Sequence, residues 1–101
     1  MKILEPYRRR IDEIDDKIVD LLAARMNVIR EVGELKFRNN IPAVLQDRVN
    51  EVINRAAARA GEKSLDPTLA RKIYTTLVNY SCDLEEEIMT ALAATKKAMG
   101  E

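Results

Sequence analysis

The first third of the chain carries an apolar line that is too long for a chain of this size to cover by itself. Ile11, Ile14, Ile18, Leu21, Ile29 and Val32 lie within about 40° of one line on a helix that turns about 100° per residue. This spacing predicts a helix from about Glu5 to about Arg38. The "NNIP" of residues 39–42 breaks it, because Pro42 disfavours helix at the residue before it. Such a helix is about 50 Å long, whereas a compact domain of about 100 residues has a radius of gyration of about 13 Å. The helix therefore overhangs any globule the chain forms alone, and a second copy would cover the excess. The expectation is a homodimer in which the long helices pair and each chain wraps the other. A plain coiled coil is the simpler alternative. Against it, the apolar positions do not keep strict a/d heptads, and cations interrupt them.

Those cations are the second constraint. Arg25 and Lys36 fall in line with the stripe, within the stretch "LLAARMNVIREVGELK". Lysine and arginine are almost never fully buried unless paired. Either one alone could snorkel, its stem on apolar surface and its head in water. Two cations aligned three turns apart favour an enclosed anion.

Two more helices follow, giving an all-α, three-helix chain of one domain over residues 1–101. The second is predicted from about Leu45 to about Ala60, with Val49, Val52, Ile53, Ala56, Ala57 and Ala60 as its apolar positions and Gly61 as its stop. The third runs from about Pro67 to about Lys97, with Asp66 as N-cap and Pro67 in the first turn. Its apolar face holds Tyr74, Leu77, Ile88 and Leu92, and Ser81 and Glu85 lie within about 40° of that face. Glu85 opens the run Glu85, Glu86, Glu87, of which it alone is aimed inward. Arg48 sits near the stripe of Leu45, Val52 and Ala56. Every core face thus contributes polar groups, and a cation-rich pocket inside a helical bundle suits a small dianion.

Composition removes most other chemistries. There is no histidine, hence no serine–histidine triad and none of the commonest metal ligand. With Cys82 as the only cysteine, no zinc site and no intramolecular disulfide is expected, which suits a reducing compartment; Cys82 reads as a small core residue. Three scattered glycines form no phosphate-cradling loop. Seventeen basic residues balance seventeen acidic ones, which argues against nucleic acid as a partner. No apolar run is long enough to span a membrane, and "MKILEPYRRR" has no signal-peptide core, so a cytoplasmic location is expected. If the chain is an enzyme, it works with carboxylates, cations and shape.

At this point the residues resemble the all-helical chorismate mutase family, from about Tyr7 to about Met89. The matching pieces are "R-x-x-I-D-x-I-D-x-x-I-x-x-L-L-A-x-R" from Arg8 to Arg25, "V-G-x-x-K" at 32–36, "I-P" at 41–42, "D-R" at 47–48 and "L-D" at 65–66. The resemblance implies an intertwined homodimer with two sites, each borrowing an arginine from the other chain. It implies that Arg8 reaches into the partner's site, and Arg8 lies about 100° off the stripe. It further implies that Arg25, Lys36 and Arg48 hold the substrate's two carboxylates, that Ser81 contacts one of them, and that Lys36 and Glu85 serve the ether oxygen. The implied reaction is the concerted rearrangement of chorismate to prephenate, an isomerisation in aromatic amino acid biosynthesis with no metal or cofactor.

Two positions depart from the pattern. Many chorismate mutases carry a carboxylate directly after the second-helix arginine, where this chain has Val49, and an aspartate three residues before it, where this chain has Leu45. Isochorismate–pyruvate lyases and 4-amino-4-deoxychorismate mutases also lack the first carboxylate. "DRVNEVINRAA" and "SCDLEEEIM" resemble the latter more. These two activities are the enzymatic alternatives, and a helical dimerisation or regulatory domain is the non-enzymatic one.

Overall fold

Polar breaks and prolines divide the chain as expected. The computed structural model describes residues 1–100: a short 3-10 turn (Lys2–Leu4), then α1 (Glu5–Arg38), α2 (Gln46–Glu62) and α3 (Pro67–Ala98), with no strand among the described residues. Pro6 and Pro67 occupy first turns, where the missing N–H had no helical partner to lose. α1 ends on asparagines. Asn39 returns its backbone N–H to Leu35 and Lys36 and its side-chain amide to Leu35 O at 2.8 Å, while Asn40 takes a left-handed φ of 53°. Asn is among the residues that tolerate this region. Asp66 caps α3, its carboxylate accepting from Thr68 N–H at 2.9 Å. The end of α2 corrects the expectation for Gly61. That glycine lies inside the helix, and the left-handed residue is Ser64, at φ 58°. The N–H groups of Lys63 and Leu65 both close on Ala60 O and that of Ser64 on Gly61 O, so these two carbonyls are satisfied without a glycine at the turn.

α3 is the central element. It packs against both α1 and α2, whereas the backbones of α1 and α2 do not approach each other. α1 and α3 run in the same sense, with Arg25 beside Ser81 and Gly33 beside Glu85 and Ile88. α2 returns antiparallel, and Arg71 donates to Asn54 at 2.9 Å. The gap between α1 and α2, floored by α3, is where a cavity can form.

The core is thin. Its buried apolar residues are Ala43, Ala57, Ala60, Ala70 and Val78, and no large side chain among the described residues is fully buried. The shape explains this. The molecule measures 65 × 29 × 15 Å with a radius of gyration of 18.1 Å. A helix with its side chains is about 10–12 Å across, so this is a single layer of helices with two open faces. The N-terminal half of α1 projects from it. Ile11, Ile14, Ile18 and Leu21, the start of the predicted stripe, are 49–70% exposed.

Gly33 faces α3 at close range. A Cβ added there would lie 3.4 Å from Glu85 Cα and 3.5 Å from two carbons of Ile88, which is contact without overlap. Alanine is also favoured over glycine inside a helix by about 1 kcal/mol. Gly33→Ala is therefore expected to fold with stability unchanged or raised by up to about 1 kcal/mol, whereas Gly33→Leu overpacks the contact and loses about 1–3 kcal/mol. Urea denaturation midpoints of the two variants check this.

Candidate active site

The stripe residues of α1 and the polar positions of α3 meet in one cavity of about 480 Å³. α1 contributes Arg25, Val28, Ile29, Val32 and Lys36, successive turns of one face. Ala43 and Leu45 come from the connecting segment, Arg48, Val49 and Val52 from α2, and Val78, Ser81, Cys82 and Glu85 from α3. The cavity thus brings together Arg25, Lys36, Arg48, Ser81 and Glu85. Arg8 is not among its lining residues; it is exposed on the projecting part of α1.

The floor is tightly tied. Arg25 Nη1 donates to Ser81 Oγ at 2.5 Å, and Ser81 in turn donates to Leu77 O at 2.7 Å. The hydroxyl proton is thereby committed to the helix, and its lone pairs face the guanidinium. Lys36 Nζ donates to Ala43 O at 2.8 Å and lies 2.7 Å from Glu85 Oε1. This last contact is close but off the line of a hydrogen bond, so Glu85 Oε1 has a charge partner without a formal hydrogen bond. At this distance the attraction is governed by charge more than by angle. The Glu85 side chain is 6% exposed and that of Lys36 15%, whereas Glu86 and Glu87 face solvent, as the sequence pattern predicts. An ammonium has three protons. One is donated to Ala43 O, and the ammonium keeps donor capacity for the cavity beside its ion pair with Glu85.

Arg48 is placed differently. It lines the rim, and its guanidinium turns outward to Glu51, one turn along the exposed side of α2. The wall on this side, Leu45 with Val49 and Val52 of α2, is apolar. Cys82 belongs to this lining. Burial above all, and then the neighbouring Glu85, pushes its thiol up from the ordinary value, so it serves as a neutral packing group. The lining therefore carries three cations against one carboxylate in largely apolar surroundings.

Sequence reasoning missed Ala43. Its part is played by a backbone carbonyl, which leaves no trace in residue type. Only the turn around Pro42 brings it back over Lys36.

The match to known proteins follows this site. Residues 7–86 fit the family described as chorismate mutase type II. The chain belongs to that family. Among its relatives, a chorismate mutase of Methanocaldococcus jannaschii is 29% identical over 85% of this chain and 87% of its own length. A 4-amino-4-deoxychorismate mutase of Streptomyces pristinaespiralis is 30% identical over 83% of this chain, and the matched part spans 65% of that protein. A bifunctional chorismate mutase/prephenate dehydratase of Aquifex aeolicus is 26% identical over 95% of this chain but only 27% of its own length. The segment matched to the chorismate mutase type II family contains every lining residue of the cavity and Arg8.

A buried ion pair in such a site is kept at a cost in stability. Two charges lose hydration that their mutual attraction only partly returns. Lys36→Met alone leaves Glu85 buried without its cation and is expected to cost about 3 kcal/mol or more, whereas Lys36→Met with Glu85→Met should come within about 1 kcal/mol of the parent or exceed it. Thermal unfolding of the single and double variants at one protein concentration checks this.

Proposed function

We propose that the protein is a chorismate mutase that converts chorismate to prephenate as an intertwined homodimer. The observation that carries the reading is the Lys36 ammonium, hydrogen-bonded to Ala43 O and ion-paired with Glu85, in an apolar cavity that Arg25 and Arg48 also line. The rearrangement breaks a C–O bond and forms a C–C bond in one step, so no nucleophile has to be supplied. The protein holds the dianion in a folded conformer and stabilises the negative charge that builds on the ether oxygen. Arg25, steadied by Ser81, and Arg48 take the carboxylates. The Arg48–Glu51 pair is exposed, and such pairs contribute about 0–1 kcal/mol, so exchanging Glu51 for a substrate carboxylate costs little. Lys36 donates to the ether oxygen, a contact that strengthens in the transition state, and Glu85, paired with Lys36, holds the ammonium at that place.

The dimer reading is supported by the exposed stripe on α1, the single-layer shape and the position of Arg8 away from the cavity of its own chain. In this reading Arg8 of the partner subunit completes the cation set. No described helix is long and apolar enough to cross a membrane. The absence of any possible intramolecular disulfide fits the cytoplasmic location we infer.

A second substrate has one observation in its favour. The wall of Leu45, Val49 and Val52 offers valine and leucine where a carboxylate could contact the ring hydroxyl, and two of the relatives are 4-amino-4-deoxychorismate mutases. Purified protein offered chorismate, isochorismate and 4-amino-4-deoxychorismate separately should form prephenate from chorismate, read by chromatography and NMR. Salicylate and pyruvate from isochorismate alone would reassign it as a lyase. Turnover of the amino compound alone would reassign it as that mutase. No turnover of any would leave a helical dimerisation or regulatory domain.

The shared site has its own test. Arg8→Ala and Arg25→Ala should each be inactive alone. Mixed in equal amounts and refolded together, they should regain about a quarter of the parent activity, because half of the dimers are mixed and each mixed dimer has one intact site. If mixing restores nothing, Arg8 does not act across the interface.

A further inference from the structure

Beside the cavity lies a second one, of about 370 Å³, whose lining includes Arg25, Arg48, Arg55, Arg59, Val52 and Tyr74. Arg25, Arg48 and Val52 belong to both cavities, so the two are contiguous. The arginines are not scattered along α2. Arg48, Val52, Arg55 and Arg59 follow one another at helical spacing and lie on one face. Like charges one turn apart, as at Arg55 and Arg59, destabilise a helix. Two of the three α2 arginines are relieved by a glutamate three residues on: Arg48 by Glu51, and Arg59 by Glu62 at 3.0 Å. Arg55 is not. Among the described residues it forms no ion pair, and no carboxylate lines this second cavity. Tyr74 is half-buried at the same place. The whole chain has zero net charge, so this concentration of cations is local. A cleft of one charge sign focuses the field and raises the local concentration of the opposite ion.

We propose that the second cavity is an anion vestibule, in which Arg55 captures a carboxylate of the dianionic substrate and passes it to Arg48 and Arg25. This rests on the reading of the first cavity as a chorismate mutase site. Arg55 is a positioning residue here. It acts before the bond-breaking step, so its effect falls on kcat/KM and leaves kcat unchanged.

The test is steady-state turnover of chorismate across a range of ionic strength for the parent, Arg55→Gln, Arg55→Glu and Arg55→Lys. Lys97→Glu, an equal charge change at neither cavity, is the control. At low ionic strength Arg55→Glu should lower kcat/KM about tenfold with kcat unchanged, and Arg55→Gln should lower it less. Arg55→Lys and Lys97→Glu should match the parent. At about 1 M salt, where charges are screened within about 3 Å, the variants should converge on the parent. Circular dichroism verifies folding, and if Arg55→Glu fails to fold, Arg55→Gln carries the test. Variants equal to the parent at every ionic strength would overturn the vestibule. So would a fall in kcat with KM unchanged, or an equal loss in Lys97→Glu. A parent protein that does not turn over chorismate would instead overturn the proposed activity on which the vestibule rests.

Discussion

The Lys36 ammonium is the point on which the site depends. It joins the last turns of α1 to the segment after Pro42 through Ala43 O, and to α3 through Glu85. No other polar contact of the site ties α1, the connecting segment and α3 together. Its attraction to Glu85 draws the two helices together where Gly33 faces α3 at close range, and the bond to Ala43 folds the connecting segment over the end of the cavity. Fixed donors in such surroundings need little reorganisation when charge moves, and this is the main way a protein without histidine can lower a barrier.

The polar groups are graded in freedom. Ser81 and Arg25 are fixed at the floor, Lys36 and Glu85 are buried but only partly committed, and Arg48 is held at the rim by an exposed glutamate. From rim to floor the cations thus pass from exposed to half-buried. The apolar walls between them, mostly valine, contribute shape and leave orientation to the charges.

Much of this was legible in the sequence, for separable physical reasons. Helical periodicity placed Arg25, Lys36, Ser81 and Glu85 on core-facing lines, because the rotation between residues is nearly constant within a helix. The capping chemistry of Asp66 and the break after Arg38 were equally local. The end of α2 was not, since Ser64 accepted a conformation that glycine would have taken more cheaply. The orientation of Arg48 was also hidden, because both its outward partner Glu51 and the cavity lie within reach of its flexible side chain. Ala43 escaped because its contribution is a carbonyl common to every residue. The arginine face of α2 could have been read from spacing, but it lies beside the apolar stripe instead of interrupting it.

The small size of the buried residues has a consequence for how this chain can vary. Most domains are damaged by truncation, which opens holes under large side chains. Here the buried positions are mainly alanine, glycine and serine, so there is little to remove and nearly every substitution adds atoms. Sequence drift at these positions is limited by room, while the large apolar residues on the open faces can be exchanged without disturbing the packing of the helices within one chain. The interior of the layer is thus the conservative part, and its faces are where related chains can diverge in what they pack against.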